Sequence, residues 1–424
     1  MKLYIKNIGK INEASIEING ITVIGGENNT GKSTLGKSLF SIFNCFYGIQ
    51  QQIQQERLLS IKNTLQFLYQ NYYAWVSEDY RDINDYSKEI LSKAEEYINK
   101  PESLKEELNS IFLIEPTRSK LFIEKINIDD IVDRITDTLK ISDEVIFNSV
   151  INKKINEEFN GQILNIYSKP EGIMSLSVKN KEFCINISED AVLANGHDHS
   201  LHTEAVYIDD PFVLDDVDFR MFRRRATYSG HREQLIYKLL MRSNNENVVD
   251  EIVVENRFNE MYKKILSVCD GNIVRQKSGH LGYQLKSAER ALSVKNLSTG
   301  LKTFVILKTL LTNGTIETNG TVILDEPEIH LHPEWQLLFA ELIVLLNKEF
   351  GINILLNTHS PYFLRAIQVY SAKYEISDTC KYYLSELDEE KRVHVRDVTD
   401  SVDKIFVKLS KPLQILEDER CNID

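Results

Sequence analysis

The chain of 424 residues is 42% hydrophobic and 27% charged and has a net charge of −13 at pH 7, which is typical of a globular protein long enough for more than one domain. The negative charge argues against a surface that coats nucleic acid through bulk electrostatics, although it leaves a local basic groove open. No apolar run approaches the roughly 20 residues that span a bilayer, and the lysine-containing start is unlike a secretory signal. We therefore expect a cytoplasmic protein that contacts no membrane.

The N-terminal part of the chain predicts three strands and a helix. Apolar residues dominate 3–8, 14–18 and 21–24, and the third of these strands runs directly into a glycine-rich loop. A helix is predicted from Lys32 because apolar residues recur at helical spacing after it. Between residues 50 and 160, leucine and isoleucine recur at helical spacing with proline interruptions, which predicts an insertion made of several short helices.

Strands and helices alternate in the remainder of the chain, which indicates a mainly parallel sheet. The predicted strands lie at 163–167, 174–178, 183–187, 321–324 and 353–356, with a hairpin near 271–297. The predicted helices lie at 231–241, 248–268, 301–311, 334–348 and 361–369. We divide the chain into residues 1–49, the helical insertion 50–160, and residues 161–424.

The loop at residues 26–33, Gly-Glu-Asn-Asn-Thr-Gly-Lys-Ser, matches the phosphate-binding motif G-x-x-x-x-G-K-[ST] between a strand and a helix. Its glycines let backbone amides curl around phosphate groups, and the helix N-terminus adds partial positive charge. We predict that Lys32 contacts the β- and γ-phosphates of ATP and that the Ser33 hydroxyl binds Mg²⁺. The other predicted ATP-binding residues are Asn28, Asn29, Thr30, Gly31 and Thr34.

Two further strands end in polar residues. The strand at 321–324 ends in Asp325 and Glu326, and we predict that Asp325 holds Mg²⁺ and that Glu326 is the general base for the attacking water. His359 follows the strand at 353–356 and is predicted to contact the γ-phosphate. An isolated acid pair is usually a solvated strand end and an isolated histidine is usually structural. The phosphate loop upstream favours the catalytic interpretation of both.

Ser298 and Gly300 stand just before the predicted helix at 301–311. Both can bind the γ-phosphate at that helix N-terminus, through the Ser298 hydroxyl and the Gly300 amide. The structural alternative is an N-capping serine, and taken alone that alternative is the stronger one.

These four groups of residues, in this order, resemble the ABC-ATPase superfamily. The stretch 325–333, Asp-Glu-Pro-Glu-Ile-His-Leu-His-Pro, is similar to the OLD-like ATPases of bacterial anti-phage defence, such as the ATPase subunits of Septu, PARIS and retron-associated systems. Segments 207–212 and 229–232 also resemble that group. The resemblance implies an α/β fold, namely an ABC-ATPase head with a mixed sheet (a P-loop NTPase core plus an antiparallel β subdomain) and a helical insertion.

The resemblance also implies partners. It predicts a head-to-tail dimer in which Ser298 and Gly300 complete the ATP site of the other subunit and residues 328–332 lie at the dimer seam; rings of such dimers are known in the group. Because the stretch after His359 is too short for the nuclease domain of related proteins, the resemblance predicts a separate effector, such as an HNH or TOPRIM-type nuclease. Thr299, Leu301 and Asn29 depart from the transporter and repair patterns, and no Q-loop glutamine is assigned among Gln51, Gln52 and Gln234.

Three alternatives stay open. The cluster Arg220, Arg223, Arg224, Arg225 and Arg232 can contact DNA in a repair or recombination ATPase, although a solvated turn that neutralises nearby aspartates is the stronger interpretation. A transporter nucleotide-binding subunit is disfavoured by the departures above. The segment with His197, Asp198, His199 and His202 can bind a metal but lacks zinc-motif spacing, so a polar loop is favoured.

Overall fold

The computed structural model describes residues 1–72, 82–112, 127–166, 170–189, 191–195, 200–217, 230–240, 259–276, 280–390 and 392–421. The chain divides into two compact units. The first consists of Met1–Tyr47 together with Ile151–Asp424, and the second of Gly48–Val150. The second unit therefore overlaps the predicted insertion but ends earlier than residue 160.

The strands of the first unit are β1 (Lys2–Ile8), β2 (Ile11–Glu17), β3 (Ile21–Gly26), β4 (Glu171–Val178), β5 (Lys181–Ser188), β6 (Val192–Asn195), β7 (Ala205–Ile208), β8 (Asn272–Arg275), β9 (Leu281–Gln284), β10 (Leu292–Ser293), β11 (Thr321–Asp325), β12 (Asn353–Thr358), β13 (Cys380–Leu387) and β14 (Val393–Asp397).

The helices, in chain order, are α1 (Lys32–Phe46), α2 (Ile49–Tyr72), α3 (Ile83–Ser92), α4 (Ala94–Asn99), α5 (Pro101–Phe112), α6 (Ile128–Lys140), α7 (Asp143–Glu158), α8 (His231–Leu240), α9 (Asn259–Leu266), α10 (Thr299–Thr312), α11 (Pro333–Phe350), α12 (Pro361–Lys373) and α13 (Asp403–Cys421). None of these described helices is long and apolar enough to cross a membrane.

One mixed sheet organises the first unit. Among the described residues it contains eleven strands in the order β6-β5-β4-β1-β2-β14-β13-β3-β12-β11-β7. Strands β13, β3, β12, β11 and β7 pair in parallel, whereas β2, β1, β4, β5 and β6 pair antiparallel. The predicted fold class is confirmed: an α/β head with a P-loop core, an antiparallel β part and a helical insertion.

The parallel strands are mostly apolar, with a few polar residues such as Thr22, Thr321 and Asn357. All residues of β3 and β11 are buried, because helices cover both faces of a parallel sheet. The carboxyl ends of β3, β11 and β12 lie at one edge of the sheet, the edge where ligands bind in open α/β sheets. The three strands thereby bring the phosphate loop, Asp325 and His359 to one place.

The second unit is helical, as the spacing of its apolar residues predicts. Helices α2 to α6 surround a core of their own, formed by Ile61, Leu65, Tyr86, Ile90, Tyr97, Leu104, Leu108, Ile131, Val132, Ile135 and Leu139. These residues share the recurring three- and four-residue spacing from which the helices were predicted.

One local prediction differs from the structure. Residues 163–166, the described part of the strand predicted at 163–167, form only an isolated bridge between Leu164 and Ile8, because β4 occupies the neighbouring edge of β1. Residue 167 lies outside the described residues. The acidic segment near 386–400 contains the end of β13 and all of β14. Its acids are exposed or half-buried, which confirms their interpretation as solvated surface, while Tyr382 to Leu384 are buried beside β3.

Candidate nucleotide-binding site

The phosphate loop has the backbone conformation that the motif predicts. Asn29 and Gly31 have positive φ angles of 66° and 80°, on either side of Thr30, whose Oγ1 donates to the carbonyl of Glu27 at 2.8 Å. Alternation of this kind turns successive amides towards one point and forms an anion-binding nest. Helix α1 begins at Lys32 without a side-chain cap, so its first amides are available to phosphate oxygens.

Strand β13 supports this loop from behind. Ser385 Oγ donates to the carbonyl of Thr30 at 2.6 Å, and a Cβ at Gly26 would lie 2.2 Å from the carbonyl oxygen of Ser385. The first glycine of the motif is therefore required by the close approach of β13. Ser385 was not predicted as a site residue, because nothing in the sequence near residue 385 indicates that it lies beside the loop.

Lys32 is positioned at the centre of the site. Its Nζ donates to the carbonyls of Gly26 at 3.1 Å and Glu27 at 2.8 Å and lies 3.4 Å from Glu326 Oε1. The residue is 4% exposed, so its charge is stabilised by these oxygens. A phosphate group in the loop would be a further anionic partner for the same ammonium.

Asp325 ends β11 and is held from both sides. Tyr207 Oη on β7 donates to Oδ2 at 2.9 Å, and Asn357 Nδ2 on β12 donates to Oδ1 at 2.9 Å. Asn357 Nδ2 also donates to the carbonyl of Lys32 at 3.0 Å. With the Ser33 hydroxyl, the Asp325 carboxylate supplies the oxygen donors that Mg²⁺ prefers, so these residues fit the predicted metal.

Glu326 adopts an unusual backbone conformation beside Lys32 and His359. Its φ is +51°, which is uncommon for a residue other than glycine, and its amide donates to the carbonyl of Asn357 at 2.9 Å. His359 Nδ1 lies 3.4 Å from Glu326 Oε1. The interaction with His359 and the charge of Lys32 lower the pKa of Glu326, while Glu326 raises the pKa of His359. Glu326 is therefore ionised at neutral pH, as a general base must be.

Glu328 lies beneath His359. It is buried, and its Oε1 accepts hydrogen bonds from Thr358 Oγ1 and from the His359 amide. Burial raises the pKa of the Glu328 carboxyl. The side chain of Glu328 thus does not project to the surface, whereas Ile329, His330 and His332 are exposed. That residues 328–332 lie at a dimer seam stays a prediction.

An open pocket of about 390 Å³ lies in front of the loop. It is lined by Gly9, Lys10, Asn29, Thr30, Gly31, Lys32, Ser33, Thr34, Gln162, Leu164, Ile166 and Glu326. Gln162 was not among the Q-loop candidates named from the sequence. Those candidates do not line this pocket. Gln51 and Gln52 belong to α2, and Gln234 Nε2 donates to Asn44 Oδ1 at 2.5 Å.

Ser298 and Gly300 do not line this pocket. Ser298 is exposed and caps α10, accepting from the Leu301 amide at 3.4 Å, which is the structural alternative considered from the sequence. A Cβ at Gly300 would lie 3.0 Å from the His330 carbonyl oxygen and 3.1 Å from the Trp335 ring, so glycine permits close packing of α10 on this segment. Their role in a second subunit's site stays a prediction.

The basic and histidine-rich clusters are only partly described. Arg220, Arg223, Arg224, Arg225, His197, Asp198 and His199 lie outside the described residues. Arg232 is described, and it pairs with Asp209 at 2.8 Å and with Asp210 at 3.5 Å. For this arginine, the interpretation of a charge that neutralises nearby aspartates is confirmed.

Several solved structures are similar over most of their length. A SMC head bound to the C-winged helix domain of ScpA has 10% identity and a TM-score of 0.43, covering 94% of this chain and 98% of the other. The SMC head domain from Thermotoga maritima has 11% identity and a TM-score of 0.38, with 94% and 98% covered. A Smc head domain with an extended coiled coil, bound to the C-terminal domain of ScpA and derived from Pyrococcus furiosus, has 10% identity and a TM-score of 0.39, with 99% and 98% covered.

In sequence, no curated protein matches the chain. Residues 175–365 match the family described as "AAA domain, putative AbiEii toxin, Type IV TA system". The matched segment contains Asp325, Glu326 and His359 and begins after the phosphate loop. The match covers less than half of the chain and names an AAA domain.

Proposed function

We propose that this chain binds and hydrolyses ATP at a head-to-tail dimer interface and thereby controls a separate effector, a nuclease or toxin, in anti-phage defence. The proposed ATPase activity rests on one observation, which is that the side chains of four residues lie close together: Lys32, Asp325, Glu326 and His359. Lys32 and His359 each lie 3.4 Å from the Glu326 carboxylate, and Asn357 joins the Lys32 carbonyl to Asp325.

Each residue has a chemical task in this proposal. The loop amides and Lys32 bind the phosphates of ATP, and Ser33 and Asp325 hold Mg²⁺, which supplies charge neutralisation at the phosphates when bound. Glu326 accepts the proton of the attacking water, and the ring of His359, whose pKa is raised by Glu326, stabilises negative charge on the transferred phosphoryl group.

The control of an effector rests on resemblance. The family that matches residues 175–365 carries the name of a toxin and of a type IV toxin–antitoxin system, which fits a chain whose activity is linked to a harmful partner. The 325–333 stretch resembles the ATPase subunits of anti-phage systems. ATP binding would clamp two heads through Ser298 and Gly300, and hydrolysis would release the effector.

Two variants separate binding from hydrolysis. Lys32→Ala is expected to lose ATP binding, and Glu326→Gln to keep it while turnover falls by about 100-fold or more, the usual contribution of a general base. Binding is measured by calorimetry and turnover by phosphate release. Glu334→Gln, an exposed carboxylate outside the pocket, is the matched control and should behave like the wild type.

Unchanged turnover in Glu326→Gln would remove Glu326 from the role of base. In cells that carry the chain with its neighbouring genes, Lys32→Ala should also abolish protection against phage; full protection would disprove nucleotide control. DNA-stimulated turnover that disappears when Arg220 and Arg223 are neutralised would instead favour the alternative, a repair ATPase that acts directly on DNA.

A further inference from the structure

Asp325 is restrained by strands on both sides of β11. Tyr207 of β7 holds Oδ2 and Asn357 of β12 holds Oδ1, each at 2.9 Å. Tyr207 pairs with Ile323 in the parallel register of β7 and β11. Since side chains alternate along a strand, Ile323 and Asp325 share a face of β11, and the Tyr207 hydroxyl meets Asp325 on that face.

Helix α1 leaves space for this hydroxyl. A Cβ at Gly36 would lie 3.1 Å from Tyr207 Oη and 3.1 Å from Ile323 Cγ2. Glycine is otherwise unfavourable within a helix, so its presence at this position has a structural explanation. Tyr207 is 1% exposed, and burial together with Asp325 raises the pKa of its hydroxyl. The hydroxyl donates a hydrogen bond to the carboxylate.

His231 fixes the ring of Tyr207 from the other side. The two rings stack with centroids 4.5 Å apart and an interplanar angle of 27°. His231 Nδ1 lies 2.7 Å from Glu158 Oε1, and Nε2 lies 3.1 Å from Asp209 Oδ2. Burial lowers the pKa of His231, but the two carboxylates outweigh it and raise that pKa to about 9. The charged imidazole is thus hydrogen-bonded to Glu158 through Nδ1 and within ion-pair distance of Asp209 through Nε2.

We infer that Tyr207 is a positioning residue for metal binding: its hydroxyl holds the Asp325 carboxylate in the orientation that binds Mg²⁺ together with the nucleotide, and His231 holds Tyr207 in place. The inference rests on the proposed function, in which Asp325 binds Mg²⁺. Residues that orient a metal ligand commonly change metal affinity by about 10- to 100-fold when they are replaced.

The test is a Mg²⁺ titration of nucleotide binding by the full chain. Affinity for a fluorescent N-methylanthraniloyl ATP analogue is measured in EDTA and over a range of Mg²⁺ concentrations. Tyr207→Phe removes only the hydroxyl, so we expect the Mg²⁺ midpoint to rise by about tenfold while the affinity in EDTA stays within about twofold. A role confined to packing would change both.

Tyr283→Phe is the matched control. Tyr283 is also 1% exposed, and its hydroxyl accepts from the Gly271 amide at 2.8 Å and contacts Cys269 Sγ at 3.4 Å. Its replacement removes a buried hydroxyl that does not contact Asp325, so the Mg²⁺ midpoint should stay at the wild-type value. Gly36→Ala is the second variant: it crowds the Tyr207 hydroxyl and should raise the midpoint by a smaller factor.

The outcomes separate the inference from the proposed function. A midpoint that rises in Asp325→Asn but not in Tyr207→Phe overturns the inference and leaves the proposed function standing. A midpoint unchanged in Asp325→Asn, or no nucleotide binding by the wild type, overturns both. If Tyr207→Phe weakens binding equally in EDTA, the hydroxyl acts on the loop and not on the metal ligand. If Tyr207→Phe does not fold, an unchanged midpoint in Gly36→Ala overturns the inference.

Discussion

Buried carboxylates in this chain differ in pKa according to the groups that face them. Glu328 accepts hydrogen bonds from a hydroxyl and a backbone amide and lies 3.8 Å from His359 Nδ1, and burial raises its pKa. Glu341 on α11 is also buried, but it accepts hydrogen bonds from Lys264 at 2.9 Å, Lys373 at 2.8 Å and Tyr374 at 2.7 Å. Burial raises the pKa of Glu341, yet these donors outweigh it and lower that pKa to about 2.

This cluster makes a prediction about stability and pH. Because the pKa of Glu341 falls from 4.5 to about 2 on folding, its stabilisation is complete above pH 4.5 and is lost as the pH falls towards 2. Glu341→Gln should lower the free energy of unfolding by about 1–3 kcal/mol at pH 7, and the difference from the wild type should shrink below pH 4.5. Urea unfolding at pH 7, 4 and 3 measures it, with exposed Glu349→Gln as the control. A difference that does not depend on pH would contradict this assignment.

Two residues at the N-terminus of helix α10 have structural roles. Ser298 caps the helix, and Gly300 lets the first turn pack against the His330 carbonyl and the Trp335 ring. The predicted role of Ser298 in a second subunit is compatible with its exposure, but an alanine variant would remove the cap and the phosphate contact together. A substitution that preserves the cap is needed to separate the two roles.

Ser298→Asp provides that separation, because aspartate is as good an N-cap as serine. We expect Ser298→Ala to lose about 1 kcal/mol of stability, while Ser298→Asp unfolds like the wild type. Both should lose turnover, the aspartate variant through repulsion of the γ-phosphate. Thermal unfolding and phosphate release are measured on the same samples. Wild-type turnover in Ser298→Asp would show that the residue is only a cap.

The residues proposed to bind and hydrolyse ATP lie at one edge of the sheet of a single chain, except Ser298 and Gly300, which lie at the start of α10. A head-to-tail dimer would complete the site by symmetry, since a self-complementary interface presents the same surface twice. The site would then form only when two chains associate.

Complementation tests this arrangement. Lys32→Ala is defective in its own loop, and Ser298→Asp is defective in what it contributes to the other chain. In a mixed dimer, one of the two composite sites combines a normal loop with a normal Ser298. Mixing the two inactive variants should therefore restore turnover, up to about a quarter of the wild-type rate for random association of chains. Mixtures as inactive as the separate variants would contradict a site shared between subunits.

The local sequence was sufficient to predict those parts of the site whose residues are adjacent in the chain. Residues 26–33 form one loop whose glycines, lysine and serine are fixed by the geometry of phosphate binding, and apolar spacing alone located the helical unit around Ile61 and Ile135. The acids at the end of β11, Asp325 and Glu326, were also predicted, because the phosphate loop upstream favours a catalytic pair over a solvated strand end.

Tertiary structure decided which distant residues support that chemistry. Tyr207, Asn357 and Ser385 reach the site because β7, β12 and β13 lie in the sheet beside β11 and β3, and strand order depends on long-range packing that no local pattern encodes. Glu328 is a further example, because its contact with Thr358 and the His359 amide depends on the fold and not on the local sequence. The sequence by itself determined that the chain carries a phosphate-binding loop and a carboxylate pair. Only the fold decided what holds Asp325 in place, because that depends on which strands are neighbours.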